Sequence, residues 1–170
     1  MRFPSCAIQT MTRSSAFDPA CLDDVPKSIR QFYDYWNAIR GDRRMPRRAD
    51  FDPMAIPRHL PSILLVDVEG LRADGKGKYR YRVAGDLEIA ARGFNPTGMR
   101  VEDGFLAGSV EEVIAVYETV RLNCEPICLP TVYVRESGLR IDDFTFMVPL
   151  SEDGETVSQI LVFSDDREKP

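Results

Sequence analysis

The residues that could do chemistry are few and far apart. Histidine occurs once, as His59, which excludes any metal site or catalytic pair that needs two imidazoles. One imidazole could still ligate a haem iron. His59 stands just before Leu60-Pro61, however, where capping a short helix or bonding locally is the commoner use. The cysteines Cys6, Cys21, Cys124 and Cys128 include no C-x-x-C pair. The adjacent carboxylates Glu111-Glu112, Asp142-Asp143 and Asp165-Asp166 do not converge, because strand neighbours point to opposite faces and helix neighbours diverge by about 100°. No G-x-S-x-G, P-loop, G-x-G-x-x-G or metal-spaced cluster is present. The case for an enzyme is weak on these grounds, and no metal or cofactor is expected.

Two other groups carry binding chemistry. Arg40, Arg43, Arg44, Arg47 and Arg48 could grip an anion through their guanidinium forks. Asp42, Asp50 and Asp52 stand close by, so the run reads as a solvated linker pairing with Asp165, Asp166 and Glu168. In Tyr79-Arg80-Tyr81-Arg82-Val83 aromatic or apolar residues alternate with arginines, which buries one face of a strand. Tyr79, Tyr81 and Val83 would share that buried space with Phe144, Phe146, Val148 and a helical stripe holding Val113 and Tyr117. Such a set is either a filled core or the lining of a small apolar pocket whose tyrosine hydroxyls orient a ligand. Tyr79, Tyr81, Tyr117, Phe144 and Phe146 are therefore the candidate ligand-binding residues.

Positioning these residues takes a set of elements that the pattern supplies. Val25, Ile29, Phe32, Trp36 and Ile39 recur at helical spacing, with Pro26 in the first turn and Gly41 at the end. Asp52-Pro53 opens a short helix to about His59. Ile63–Val68 is a buried strand, and Gly70 to Gly77 a hairpin connection to the Tyr79–Val83 strand. Asp86–Arg92 is a short helix ended by Gly93. Asn95-Pro96-Thr97-Gly98 is a turn, and Ser109 with Glu112 a capping box that starts a helix stopped at Asn123 and Pro126. Ile127–Arg135, Arg140–Leu150 and Thr156–Ser164 are strands, linked by Ser137-Gly138 and by Ser151–Glu155. Two strands, a helical insert and a three-strand meander make an α+β fold: one five-stranded antiparallel sheet with helices on one face.

Composition sets the outer limits. The chain has 170 residues, 44% of them apolar, and 22 basic against 27 acidic residues give a net charge of −5. That suits one domain with a real core. The acidic balance speaks against nucleic-acid binding, and no apolar run reaches the roughly 20 residues that span a bilayer. Residues 1–20 read as a loose tail without a secretory h-region, in which Met11 offers a second start. Residues 21–170 form the domain: N-terminal helices to 60, a core over 61–164 and an acidic tail from 165. Free thiols in a reducing cytoplasm account for the cysteines.

The element order resembles that of the PAS domain, and the chain is similar to single-domain PAS-like proteins of alphaproteobacteria. The likeness rests on FYDYWNAIRGDRRMPRRADFDPMAIPRHLPSILLVDVE, YRYRVAGDLEIAARGFNPTGMRVED, VEEVIAVYETV and FMVPLSEDGETVSQILVF. Its specific pieces are W-x3-R-G, R-A-D-x-D-P-x3-P-x2-L-P and P-L-S-x-D-G. The resemblance implies a sensory or protein-interaction module that holds a small ligand, or none, between sheet and helices. Asn123-Cys124 is similar to the pair of flavin-binding light sensors of that class, but Glu125-Pro126 follows and the pair ends its helix. The flavin reading therefore falls away.

In PAS proteins the outer sheet face is covered by an N-terminal helix or a second subunit. This makes Phe32, Trp36, Arg80 and Arg82 the candidate interaction surface, within the domain or in a homodimer. The expected function is a cytoplasmic module acting in trans on a signalling partner such as a histidine kinase. An isomerase- or dehydratase-type enzyme would need a buried Asp or Glu near Tyr81 or Tyr117, and a purely structural dimerisation module would need only a filled core.

Overall fold

The computed structural model describes residues 17–134 and 138–166. The expected tail up to residue 16, Ser137 and Glu168 lie outside them. Helix α1 (Lys27–Arg40) is followed by 3-10 turns at Arg48–Asp50, Pro53–Ala55 and Leu60–Ser62. Strands β1 (Ile63–Leu71) and β2 (Gly77–Ala84) form a hairpin. Helices α2 (Asp86–Arg92), α3 (Val101–Gly104) and α4 (Val110–Asn123) come next, then β3 (Ile127–Val134), β4 (Arg140–Leu150) and β5 (Gln159–Asp166). All pairings are antiparallel, in the spatial order β2-β1-β5-β4-β3. The expected helix after Asp52 shortens to one 3-10 turn, capped by the Asp52 carboxylate on the Met54 amide, because Pro57 prevents its continuation. The turn α3 was not expected from the sequence.

The sheet separates two cores. Its inner face packs Leu64, Val66, Tyr79, Tyr81, Met147, Ile160 and Val162 against Ile114, Tyr117 and Val120 of α4. Its outer face packs Ile63, Leu65, Phe146, Val148, Leu161 and Phe163 against Ile29, Phe32 and Trp36 of α1. Strand alternation sends neighbours to opposite sides, so β5 gives Ile160 and Val162 inward and Leu161 and Phe163 outward. Helix α1 lies over β4 and β5, and the Trp36 indole donates to Pro149 O at 3.0 Å.

Two expectations change here. Val83 is 49% exposed rather than buried. A register shift between Leu65 and Val66 pairs Val66 with Tyr81 but Leu65 with Val83, so one extra residue turns Val83 to the outer side. Phe144, Phe146 and Val148 belong to the outer core, not to the tyrosine side. In β4 it is Met147, paired with Val162, that faces inward, while Phe146 pairs with Phe163.

Candidate functional site

The inner face brings together Tyr79, Tyr81 and Tyr117. The alternation of β2 presents the first two, and the α4 stripe presents the third. The Tyr79 and Tyr117 rings lie 5.0 Å apart. Of the five candidate ligand-binding residues, these three share one space, while Phe144 and Phe146 lie across the sheet.

Each end of the cluster carries a carboxylate held by an arginine. Toward the β1–β2 hairpin, Glu118 Oε1 accepts from the Gly77 amide at 2.7 Å, from Arg121 Nε at 2.9 Å and from the Tyr79 hydroxyl. Its Oε2 accepts from Arg121 Nη2 at 2.7 Å. Burial would push the Glu118 carboxyl up, but the bonds from Arg121, Tyr79 and Gly77 outweigh it and hold the group at about 2. Burial, reinforced by Glu118, pushes the Tyr79 phenol up, so it remains a donor.

At the other end, Arg92 of α2 lies 5.7 Å over the Tyr81 ring. It donates to Glu88 Oε2 at 2.6 Å and to Gly104 O at 2.9 Å. The Arg92 and Glu88 side chains are only 6% and 9% exposed. Gly104 permits this contact, since a Cβ there would meet the Tyr81 ring at 2.9 Å. Burial raises the Tyr81 and Tyr117 phenols as well. The result is a buried patch in which the Tyr79 hydroxyl donates to Glu118, Arg92 is held by Glu88 and Gly104, and the Tyr81 and Tyr117 phenols stay protonated. Glu88 is the buried acid that an enzyme would require, but its carboxylate is bound to Arg92 rather than free to act as a base.

Sequence reasoning missed Glu88, Arg92, Glu118 and Arg121. Their i,i+4 and i,i+3 spacings were visible signals, but such pairs usually lie on solvated faces.

The remaining candidates are placed elsewhere. His59 is buried between Phe32 and Phe163 on the outer side, and its Nε2 donates to Ser28 O at 3.1 Å. It ties the 3-10 turn to α1 instead of capping locally. Cys124 is buried in left-handed backbone (φ 54°) at the end of α4, with its thiol toward Glu155 O. Among the described residues the arginine run finds partners other than Asp165. Arg43 pairs with Asp50 at 2.7 Å, Arg44 donates to Asn123 O at 2.6 Å, and Asp165 accepts from Ser28. Arg43, Met45 and Arg47 also border a cleft of about 160 Å³ lined by Ser151–Gly154. Phe32 and Trp36 are buried under α1 and offer no surface. Arg80 and Arg82 stand on the outer side of β2, paired with Glu69 at 2.7 Å and Asp67 at 3.5 Å.

Residues 25–163 match the family model described as PAS domain. The chain belongs to the PAS domain family. This makes it a sensory or interaction module in kind. Among solved structures, the PAS domain of Bordetella pertussis BvgS aligns at 16% identity with a TM-score of 0.50, covering 70% of this chain and 89% of that one. A light-oxygen-voltage domain solved in a flavin-analogue study aligns at 15% identity and a TM-score of 0.50, covering 68% and 84%. At these identities the likeness is one of fold. A search of curated protein sequences gives no match. Within the PAS fold, the tyrosine cluster occupies the space between sheet and helices, and α1 covers the opposite face. Among the described residues no group of three or more metal-ligating side chains occurs, and no helix is long and apolar enough to cross a membrane.

Proposed function

We propose that this PAS domain senses a small molecule at its inner tyrosine cluster and reports the change to a signalling partner in the cytoplasm, such as a histidine kinase. The observation that carries the reading is the Arg92–Glu88 pair buried against Tyr81. Burying an ion pair costs desolvation that an apolar pair of similar volume would not, so its place in the inner core is poorly explained by stability alone. A ligand with an apolar body and one hydrogen-bond acceptor suits the protonated Tyr81 and Tyr117 phenols beside that guanidinium.

The test is mass spectrometry of the native protein, followed by thermal melting against a metabolite panel. A retained or stabilising small molecule, lost in Tyr117→Phe and Arg92→Met variants that remain folded, is the expected result. A protein that carries nothing, and whose melting no compound shifts, refutes the reading.

A second reading, as an interaction module, is favoured by the outer side of the β1–β2 hairpin. There Asp67 and Glu69 form an acidic stripe on β1, and Arg80 and Arg82 a basic stripe on β2. A second copy turned about an axis along the strands would set acid against base. Sedimentation of wild type and of Arg80→Glu/Arg82→Glu separates the possibilities. A dimer lost in the double variant supports this face, and a concentration-independent monomer removes it.

A further inference from the structure

Two cysteines outside the tyrosine cluster lie on segments that meet at the outer face. Cys128 stands opposite Phe146 in the β3–β4 ladder and packs, half-buried, against the outer core. The chain ahead of α1 crosses this spot. The Phe17 amide donates to Glu125 Oε2 at 3.0 Å, and the Phe17 ring lies 6.1 Å from that of Phe146. Leu22 ends the 3-10 turn Pro19–Leu22 and is 2% exposed in the same core. Between these two anchors, Cys21 is exposed on the turn. After burial, the charge of an ionised Cys21 is the other cause that pushes the Cys128 thiol up.

We propose that Cys21 and Cys128 form an oxidation site, closing as a disulfide that staples the segment before α1 to strand β3. The cross-link needs the two Cα atoms within about 7 Å. Anchoring at Phe17, whose ring meets Phe146 opposite Cys128, and at buried Leu22 restricts where the turn between them can lie and favours that approach.

The oxidant is a hydroperoxide. Exposed Cys21, as thiolate, attacks one peroxide oxygen, becoming a sulfenic acid while hydroxide leaves and takes up a proton as water. The Cys128 sulfur then attacks the Cys21 sulfur. Its own proton joins the departing hydroxyl as a second water, and the S–S bond forms. Two thiols are oxidised and one peroxide is reduced. Burial pushes the Cys128 thiol up to about 12 and raises Cys21 too, so reaction is slow at neutral pH. The rate should climb about tenfold per pH unit until Cys21 ionises. The site responds to sustained oxidation rather than to a brief pulse.

The experiment treats the full chain with hydrogen peroxide and reads intact mass, peptide map and melting temperature. The expected product has lost two hydrogens, gives one cross-linked peptide joining Cys21 to Cys128, and melts roughly 5–10 °C higher until dithiothreitol reverses it. Cys124→Ser retains all three signs, and Cys21→Ser abolishes them. A cross-link from either residue to Cys6, a cross-link seen only in unfolded protein, or Cys128 still alkylatable after Cys21 is oxidised would each overturn the proposal.

Discussion

Replacing Glu118 with glutamine tests whether the hairpin end of the tyrosine cluster is held by charge. The carboxylate receives four hydrogen bonds, from Gly77, Tyr79 and twice from Arg121, and its side chain is 13% exposed. Its fall from an ordinary value of 4.5 to about 2 corresponds to about 3.4 kcal/mol in favour of the charged form, at about 1.36 kcal/mol per pH unit. Solvent reaching the rim of α4 screens part of this, leaving about 1.5–2 kcal/mol.

Because the folded value is depressed, that stabilisation is full above 4.5 and disappears as pH falls toward 2. Urea unfolding followed by circular dichroism should show Glu118→Gln less stable by about 1.5–2 kcal/mol at pH 7, with less than half of that gap left at pH 3. Comparing variant with wild type at each pH cancels the acid response of every other carboxylate. A gap of equal size at both pH values would refute the charge argument and leave only the shape of the side chain.

Three further outcomes follow from the same geometry. Arg92→Met leaves the Glu88 carboxylate buried without its partner and should cost about 3–5 kcal/mol, while Arg92→Met with Glu88→Leu should recover most of it; a double-mutant cycle in urea reads the coupling. Gly104→Ala drives a methyl against the Tyr81 ring at 2.9 Å and should destabilise by about 1–3 kcal/mol, visible as a lower melting point and faster exchange of α3 amides. Phe32→Ala empties the junction of Phe146, Phe163 and His59 and should cost about 3–5 kcal/mol in chemical denaturation.

Much of this fold could be read locally. Ser109 and Glu112 marked the start of α4, Gly93 at φ 74° its left-handed place after α2, and the Tyr/Arg alternation of β2 its two faces. Parity failed where a strand is apolar on both sides. Phe144-Thr145-Phe146-Met147-Val148 offers hydrophobic residues to each core, so alternation alone does not say which set turns inward. The register shift that exposes Val83 depends on how β1 meets β2, which no property of β2 alone encodes. The candidate site was half legible for the same reason. Tyrosines at period two and period 3.6 announce burial, whereas Glu88, Arg92, Glu118 and Arg121 look like surface pairs until tertiary packing covers them.

The double-sided sheet also bears on how a signal could leave the inner site. Strands β4 and β5 contribute alternate residues to both cores, so Met147 and Val162 on the tyrosine side are bonded neighbours of Phe146 and Phe163 under α1. Close-packed interiors shift between discrete arrangements rather than deforming smoothly. A ligand that displaced Met147 or Val162 would move the backbone on which Phe146 and Phe163 are mounted, and with them the aromatic contacts to Phe32. Helix α1 is also tied to the ends of these strands, through Trp36 to Pro149 and through Ser28 to Asp165, and to the turn before β1 through Ser28 and His59. It therefore has little freedom to respond except by tilting as a unit. A ligand at the tyrosine cluster should then alter amide exchange along α1 more than at the exposed β1–β2 hairpin, although the hairpin carries Tyr79 and Tyr81. Exchange changes confined to the hairpin would place the output at Arg80 and Arg82 instead.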